Sequence, residues 1–387
     1  MQENQSSPSS VYDKVFAYFF ALTAVSALVI VRLALFYNEW GDYSYFLVHW
    51  VAEFREMSFW EGLGTKVGNY NHPYMYFLNI IARINLSDLY LIKIFSVLFD
   101  FLLAFFVMKI VSLKTESLNM RILAFLLTFA IPTVVINSAM WAQCDAIYSA
   151  FTIGAVYFAL CGRSKLSYVF LALGFAFKLQ AMFLLPLFAV FVLLKKISLK
   201  DCWLFFVVLF ATFIPAIVAG MSFNDLFSVY VNQVNSYSAL NMNIANAWRF
   251  VGYVDFDAFY LAGLYVTGVV VLGLLYFTYV HKERLKENVD FIRLTYLFAV
   301  IMPFLLPKMH DRYYFLADVL SVVVFMFDKR RWFVPIVTIF VSYLGYAWLM
   351  MGGFVAFDFK FGALAMLFVI IVVLRDYVLS LRKEMCQ

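Results

Sequence analysis

The residues able to do chemistry fall in short clusters between long apolar runs. They are Asp42 and His49; Asn69–His72; Trp141, Gln143 and Asp145; Lys178 and Gln180; Asn232–Asn246, with Asn243 inside it; and Lys308, His310, Asp311 and Arg312. A carboxylate such as Asp42 can take a proton from a hydroxyl as a general base. Lys308, His310 and Arg312 form a compact cationic group of the kind that holds a phosphate. Each cluster also has a plainer reading. Gly-Asp before an aromatic run is an ordinary helix N-cap. Cations at the mouth of an apolar run often anchor by snorkelling, and Asp311 is placed to pair with Arg312 or Lys308. Asp145 reads equally as the cap of the helix after it, and Lys178 with Gln180 as a simple helix break.

The composition decides what must carry these residues. The 387 residues are 65% hydrophobic and 14% charged, against about a quarter charged in soluble domains. A soluble core cannot absorb that much apolar surface, which excludes a cytosolic globular protein and a disordered one. The expected fold class is all-α, a polytopic membrane protein. The net charge of +5 carries no nucleic-acid signal. The four cysteines (144, 161, 202 and 386) have no paired spacing, so neither a disulfide framework nor a cysteine metal site is expected. No cluster of carboxylates of the metal-holding kind is read, so no metal and no cofactor are expected. The polar tail 1–12 lacks a basic cluster and the run after it is too long for a signal peptide, so it reads as an uncleaved first span.

A crossing helix needs about 20 apolar residues. Candidate runs lie at roughly 14–36, 88–112, 120–139, 144–161, 166–178, 180–194, 202–220, 258–280, 291–307, 313–328, 332–351 and 359–378, which predicts about 12 crossings in one domain, 1–387. Two long connections, about 37–87 and 221–257, are expected to cover a site on the outer face. Within the first, Ser58–Leu63 reads as lying flat on the bilayer, and His72–Leu86 as a helix against it or dipping into it. With the N-terminus inside, 19 of the 29 basic residues fall on inner loops and inner span ends, which sets the orientation with both termini cytoplasmic. That count requires 168–194 to be a hairpin turning near Phe177–Ala181, not one long span.

With this topology the clusters above share the outer side, while the inner loops carry basic residues read as solvated topology signals. Ionisable groups at membrane depth are costly and face a cavity or a partner. A site at the outer boundary suits a substrate with a lipid tail and a polar head. Lys93 and Asp100 lie two turns apart on one helix, about 10 Å, too far to pair; Asp100 reads as an interhelical contact. Asn85-Leu-Ser87 is a glycosylation sequon that matters only in a eukaryotic lumen.

Gly41-Asp42-Tyr43, His49-Trp50 and Asn71-His72-Pro73-Tyr74 together resemble the first outer loop of GT-C glycosyltransferases. Similar groups follow in order: Lys93 and Asp100, Trp141-Ala-Gln143-Cys-Asp145, Lys178-Leu-Gln180, Asn243–Trp248 and His310-Asp311-Arg312-Tyr313. The nearest resemblance is to the dolichyl-phosphate-glucose glucosyltransferases of N-glycan assembly and to bacterial proteins related to GPI mannosyltransferases. Asn71-His72-Pro73-Tyr74 departs from the family's Asp-Tyr-Pro-Pro pattern and lacks its carboxylate.

The resemblance implies a GT-C fold and an inverting transfer of a hexose from a polyprenyl-phosphate donor to a glycan or lipid-linked acceptor. It implies Asp42 as base and His310 on the donor phosphate. From their placement, Arg312, Lys308 and Lys178 are expected beside that phosphate, and His49, His72, Trp141, Gln143, Asp145, Gln180 and Asn243 on substrate. A bacterial plasma membrane is favoured, or the ER membrane in a eukaryote. A lipid-linked sugar flippase or a surface-polysaccharide polymerase or ligase are the alternatives.

Overall fold

The computed structural model describes residues 11–235, 237–252 and 254–382. Cys386 and Lys383, the latter one of the 19 basic residues assigned to the inner side, lie outside the described residues, as does most of the tail 1–12. The chain is almost wholly helical: α1 Val11–Leu35, α2 Val48–Glu56, α3 Phe59–Gly64, α4 His72–Ile81, α5 Asp88–Val111, α6 Leu118–Phe129, α7 Pro132–Val135, α8 Asp145–Leu160, α9 Ser164–Phe177, α10 Leu185–Leu193, α11 Trp203–Ala211, α12 Ile214–Val218, α13 Phe223–Asn235, α14 Phe256–Val280, α15 Asn288–Leu305, α16 Phe315–Phe327, α17 Phe333–Met350 and α18 Phe359–Arg382.

Among the described residues, six segments are long and apolar enough to cross a membrane: α1, α5, α14, α15, Lys329–Met350 (which includes α17) and α18. The bent pair Leu118–Phe129 and Pro132–Met140 makes a seventh if counted as one span. The other expected runs are shorter helices, broken where the sequence offers a breaker. Pro132 excludes helical geometry from Ile131, which is extended, and the chain bends there by 54°. Lys178 is likewise extended, with φ −156° and ψ 135°, and a short tight turn at Leu179–Leu184 leads into α10. Beyond α10 the chain returns to the start of α9, where Ser198 N donates to Ser164 Oγ at 2.9 Å. The segment 164–198 therefore folds back at Lys178, at the expected place.

Buried polar pairs tie the helices together. Arg32 of α1 bonds Asp100 of α5 at 3.1 Å, and Ser138 Oγ donates to the same carboxylate at 2.6 Å. Asp100 is thus an interhelical contact, and Arg32 is the partner that makes a charge tolerable at that depth. Lys93 Nζ donates to the carbonyls of Leu35, Phe36 and Asn38. It caps the C-terminal end of α1, where free carbonyls accumulate.

At the opposite end of the bundle the basic residues are less solvated than expected. Arg293 pairs with Asp290 and Asp328, and Arg331 grips Asp376 of α18. The Asp328 carboxyl, bonded by Arg330, is held down to about 2. Arg293–Asp290 and Arg330–Asp328 are local pairs, whereas folding brings Asp328 to Arg293 and Asp376 to Arg331 from 35 and 45 positions away.

The apolar core lies between α15, α16, α17 and α18 and the α5–α8–α9 group. A second cluster joins α2, α4 and the start of α5 into a cap. That cap and the connection 221–257 lie over one end of the bundle, the end that holds Asp42.

Candidate active site

Asp42 follows Gly41, whose φ is +50°. A Cβ at Gly41 would lie 2.8 Å from Trp141 Nε1, so the glycine lets the backbone reach the Trp141 indole. Asp42 does not cap the helical turn that follows; its side chain makes no bond to that turn. It reaches across to another loop, where Gln143 Nε2 and Arg312 Nη2 (3.1 Å) both donate to its Oδ2. Tyr70 OH donates to Gln143 Oε1 at 3.1 Å and fixes the amide from behind.

A second carboxylate stands alongside. Asp145 opens α8 without capping it. It accepts from Lys178 Nζ and from Asn137 Nδ2 (2.7 Å), and Arg312 Nε lies 3.7 Å from it. Asn137 also reaches Tyr346 OH at 3.0 Å. The Lys178 ammonium lies 5.7 Å from the Tyr70 ring centroid and the Arg312 guanidinium 5.4 Å from that of Trp141. Four distant stretches of chain therefore meet in one ion-pair network: Asp42, Gln143 with Asp145, Lys178, and Arg312.

The 309–313 stretch is placed by backbone pairing. Met309 and His310 form a two-residue parallel ladder with Asn241 and Met242. Asn243, at φ +62°, turns the partner chain away. A Cβ at Gly345 would lie 2.7 Å from the Asp311 carbonyl and 3.0 Å from that of Asn243, so α17 closes on both segments only because residue 345 has no side chain. His310 sits between the rings of Tyr237 (4.8 Å) and Tyr313 (5.2 Å). Burial, aided by Arg312, lowers its imidazole to about 4. Its ring is neutral at pH 7, so Arg312 and Lys178 are the fixed cations.

Burial also raises Asp311 to about 6, and its Oδ2 has no partner among the described residues. A raised acid contributes stability that is complete below its unfolded value, near 4, and is lost as pH rises through about 6. Asp311→Asn is therefore expected to raise the thermal midpoint in detergent at pH 7 to 8, with the advantage gone near pH 4. An Asn variant no more stable than the parent across that range would contradict the buried acid. For His310 the sign is reversed: its neutral form stabilises above pH 6.5, and that contribution fades as pH falls towards 4.

The remaining expected residues disperse. Gln180 is buried close by and hydrogen-bonded to Tyr313. Lys308 Nζ lies over the rings of Tyr260 (4.6 Å) and Phe256 (5.4 Å) at the start of α14. His72 Nε2 sits 3.0 Å from the Leu226 carbonyl, packed by Phe213 and Tyr76, and joins α4 to α13. His49 is on the exposed side of α2.

Asn137 and Tyr346 belong to the network but were not singled out from the sequence, and Tyr70 lay within the stretch Asn69–His72 without a role of its own. Only Asn137, polar within an apolar run, carried a signal. Asp318 carried the same signal; it is fully buried and accepts from Thr133 and Ser342, both at 2.7 Å.

Several buried polar atoms around the network lack a hydrogen-bond partner among the described residues: Trp141 Nε1, Arg312 Nε, Asp311 Oδ2, Asn137 Oδ1 and Gln180 Oε1. Buried polar groups are nearly always paired, so this concentration marks a place where a polar molecule would find donors and acceptors. Compared with protein-family models and with curated protein sequences, the chain matches none.

Proposed function

We propose that this protein is an inverting glycosyltransferase of the outer membrane face, moving a hexose from a polyprenyl-phosphate donor to an acceptor hydroxyl. The observation that carries the reading is the placement of one carboxylate, Asp42, in direct contact with Arg312 beside Lys178, with unpaired polar atoms around them. The shorter helices α8, α9, α10, α16 and the broken α11–α12 are crossings in this reading, which makes twelve. Arg163, Lys195, Lys196 and the 329–331 triplet then lie inside, with both termini cytoplasmic.

In the transfer, the acceptor oxygen attacks the anomeric carbon opposite the phosphate. The acceptor O–H proton passes to Asp42. The bond from the anomeric carbon to the phosphate oxygen breaks, and the lipid phosphate leaves with the electron pair. Arg312 and Lys178 stabilise its growing charge, and neutral His310 borders the same space. At rest both cations are held by Asp42 and Asp145. Donor phosphate that takes Arg312 therefore frees the Asp42 carboxylate to meet the acceptor hydroxyl, so the donor prepares the base for the acceptor.

The charge balance also bears on the donor. Asp42, Asp145 and Asp311 face only two fixed cations. Such a site suits the single charge of a glycosyl phosphodiester better than a diphosphate-linked donor, which a polymerase or ligase uses. Purified protein is expected to transfer radiolabelled hexose from a polyprenyl-phosphate donor. Lipid movement without transfer would make it a flippase, and use of a diphosphate-linked oligosaccharide alone would make it a polymerase or ligase.

A further inference from the structure

A polar cavity of about 290 Å³ lies among the C-terminal end of α17, the connection to α18 and the turn Ala247–Phe250. We propose that it binds the phosphodiester of a lipid headgroup, with the acyl chain lying along α18. The cavity is lined by Arg249, Trp348, Phe354, Phe357, Asp358 and Lys360.

Arg249 is held in place. Its Nε donates to the Ile244 carbonyl at 3.1 Å, and its guanidinium carbon lies 4.4 Å from the Phe359 ring centroid. The turn that carries it is pinned by Asn246 Nδ2 to the Pro303 carbonyl (3.1 Å) and by Trp248 Nε1 to the Leu305 carbonyl (2.8 Å). Both Nη groups have no hydrogen-bond partner among the described residues, which leaves a fixed planar fork at the cavity. Asp358 Oδ1 accepts from Lys360 N at 2.8 Å at the start of α18, and its carboxylate also attracts the Arg249 guanidinium. Arg249 and Lys360 against Asp358 leave one net positive charge, which one phosphodiester neutralises.

Volume and surroundings select a lipid. The cavity sits at the lower end of small-molecule sites, about 300–1,000 Å³, enough for a headgroup and not for an oligosaccharide. From its mouth an apolar stripe runs down α18 at helical spacing: Phe361, Leu364 and Phe368, exposed by 63%, 50% and 56%. A soluble anion has no use for that stripe, whereas an acyl or prenyl chain covers it.

The test is retention of added phosphatidylglycerol by the purified full chain, read by native mass spectrometry. Arg249→Gln is expected to lower retention about tenfold, and Arg249→Lys less, because it keeps the charge and loses the fork. Lys360→Gln, at an exposed position, gives a smaller loss if Arg249→Gln does not fold. Asp42→Asn should leave retention unchanged, which separates this site from the proposed transfer site. Equal competition by polyprenyl phosphate makes the site common to membrane and carrier lipids. Unchanged retention in folded Arg249→Gln, or displacement of the lipid by inorganic phosphate at matched concentration, would overturn the proposal.

Discussion

Asp42→Asn is expected to lower hexose transfer by about 10²–10⁴, the range general-base groups contribute, while the protein elutes and melts as the parent does. The side chain is partly exposed, on a loop ahead of α2, and Asn keeps its shape and one acceptor oxygen. The substitution should also tighten donor binding. Arg312 bonds the Asp42 carboxylate at 3.1 Å, and removing that charge leaves the guanidinium freer for the donor phosphate. A fall in turnover with donor saturation at lower concentration is the signature of a base held in check by the cation that the donor needs. Near-parental turnover would remove Asp42 from the chemistry. Lost turnover with weakened donor binding would show that Asp42 acts on substrate placement instead.

The second large effect concerns the neighbouring pair. Lys178 and Asp145 are both largely withdrawn from solvent, with side chains 13% and 3% exposed. Asp145→Ala leaves the ammonium without its carboxylate, and loss of one partner of a buried pair costs about 3–5 kcal/mol. The variant is expected to unfold well below the parent in detergent. Asp145→Asn with Lys178→Gln removes both charges and keeps hydrogen-bonding groups in place, so it should recover most of that stability. It should not recover transfer, because Lys178 no longer meets the leaving phosphate. A single variant as stable as the parent would show that the pair does not hold the site together. A double variant that is stable and active would strip Lys178 of its role.

The two variants probe different levels of one design. The Asp145–Lys178 pair fixes the fold of the helical hairpin against α8, and so sets where Arg312 can rest. Asp42 then meets Arg312 through the cap built by α2 and α4. An anonymous carboxylate in a loop acquires chemistry only through that neighbour.

By itself, the sequence determined the solvent and the material. Its excess of apolar residues requires a membrane, and its long unbroken apolar runs require helices there, because within one segment only a helix satisfies every backbone polar group. It also determined one place where a helix breaks, since a polar pair at Lys178 and Gln180 interrupts an apolar run. The bend at Ile131, ahead of Pro132, fell inside a run expected to cross unbroken. The polar clusters, finally, were legible as a list of places.

Only the tertiary structure decided which of those places meet. Asp42 and Gln143 are 101 positions apart, and Asp42 and Arg312 are 270 apart. A carboxylate ahead of a helix looks the same in sequence whether it caps that helix or reaches another loop, and Asp42 and Asp145 both reach. His72 and Lys308 carry equally suggestive chemistry, yet packing turns one to the Leu226 carbonyl and the other to aromatic rings. Local propensity acts over about one helical turn, whereas a site is assembled by contacts between helices, and those are fixed only when the whole apolar core closes.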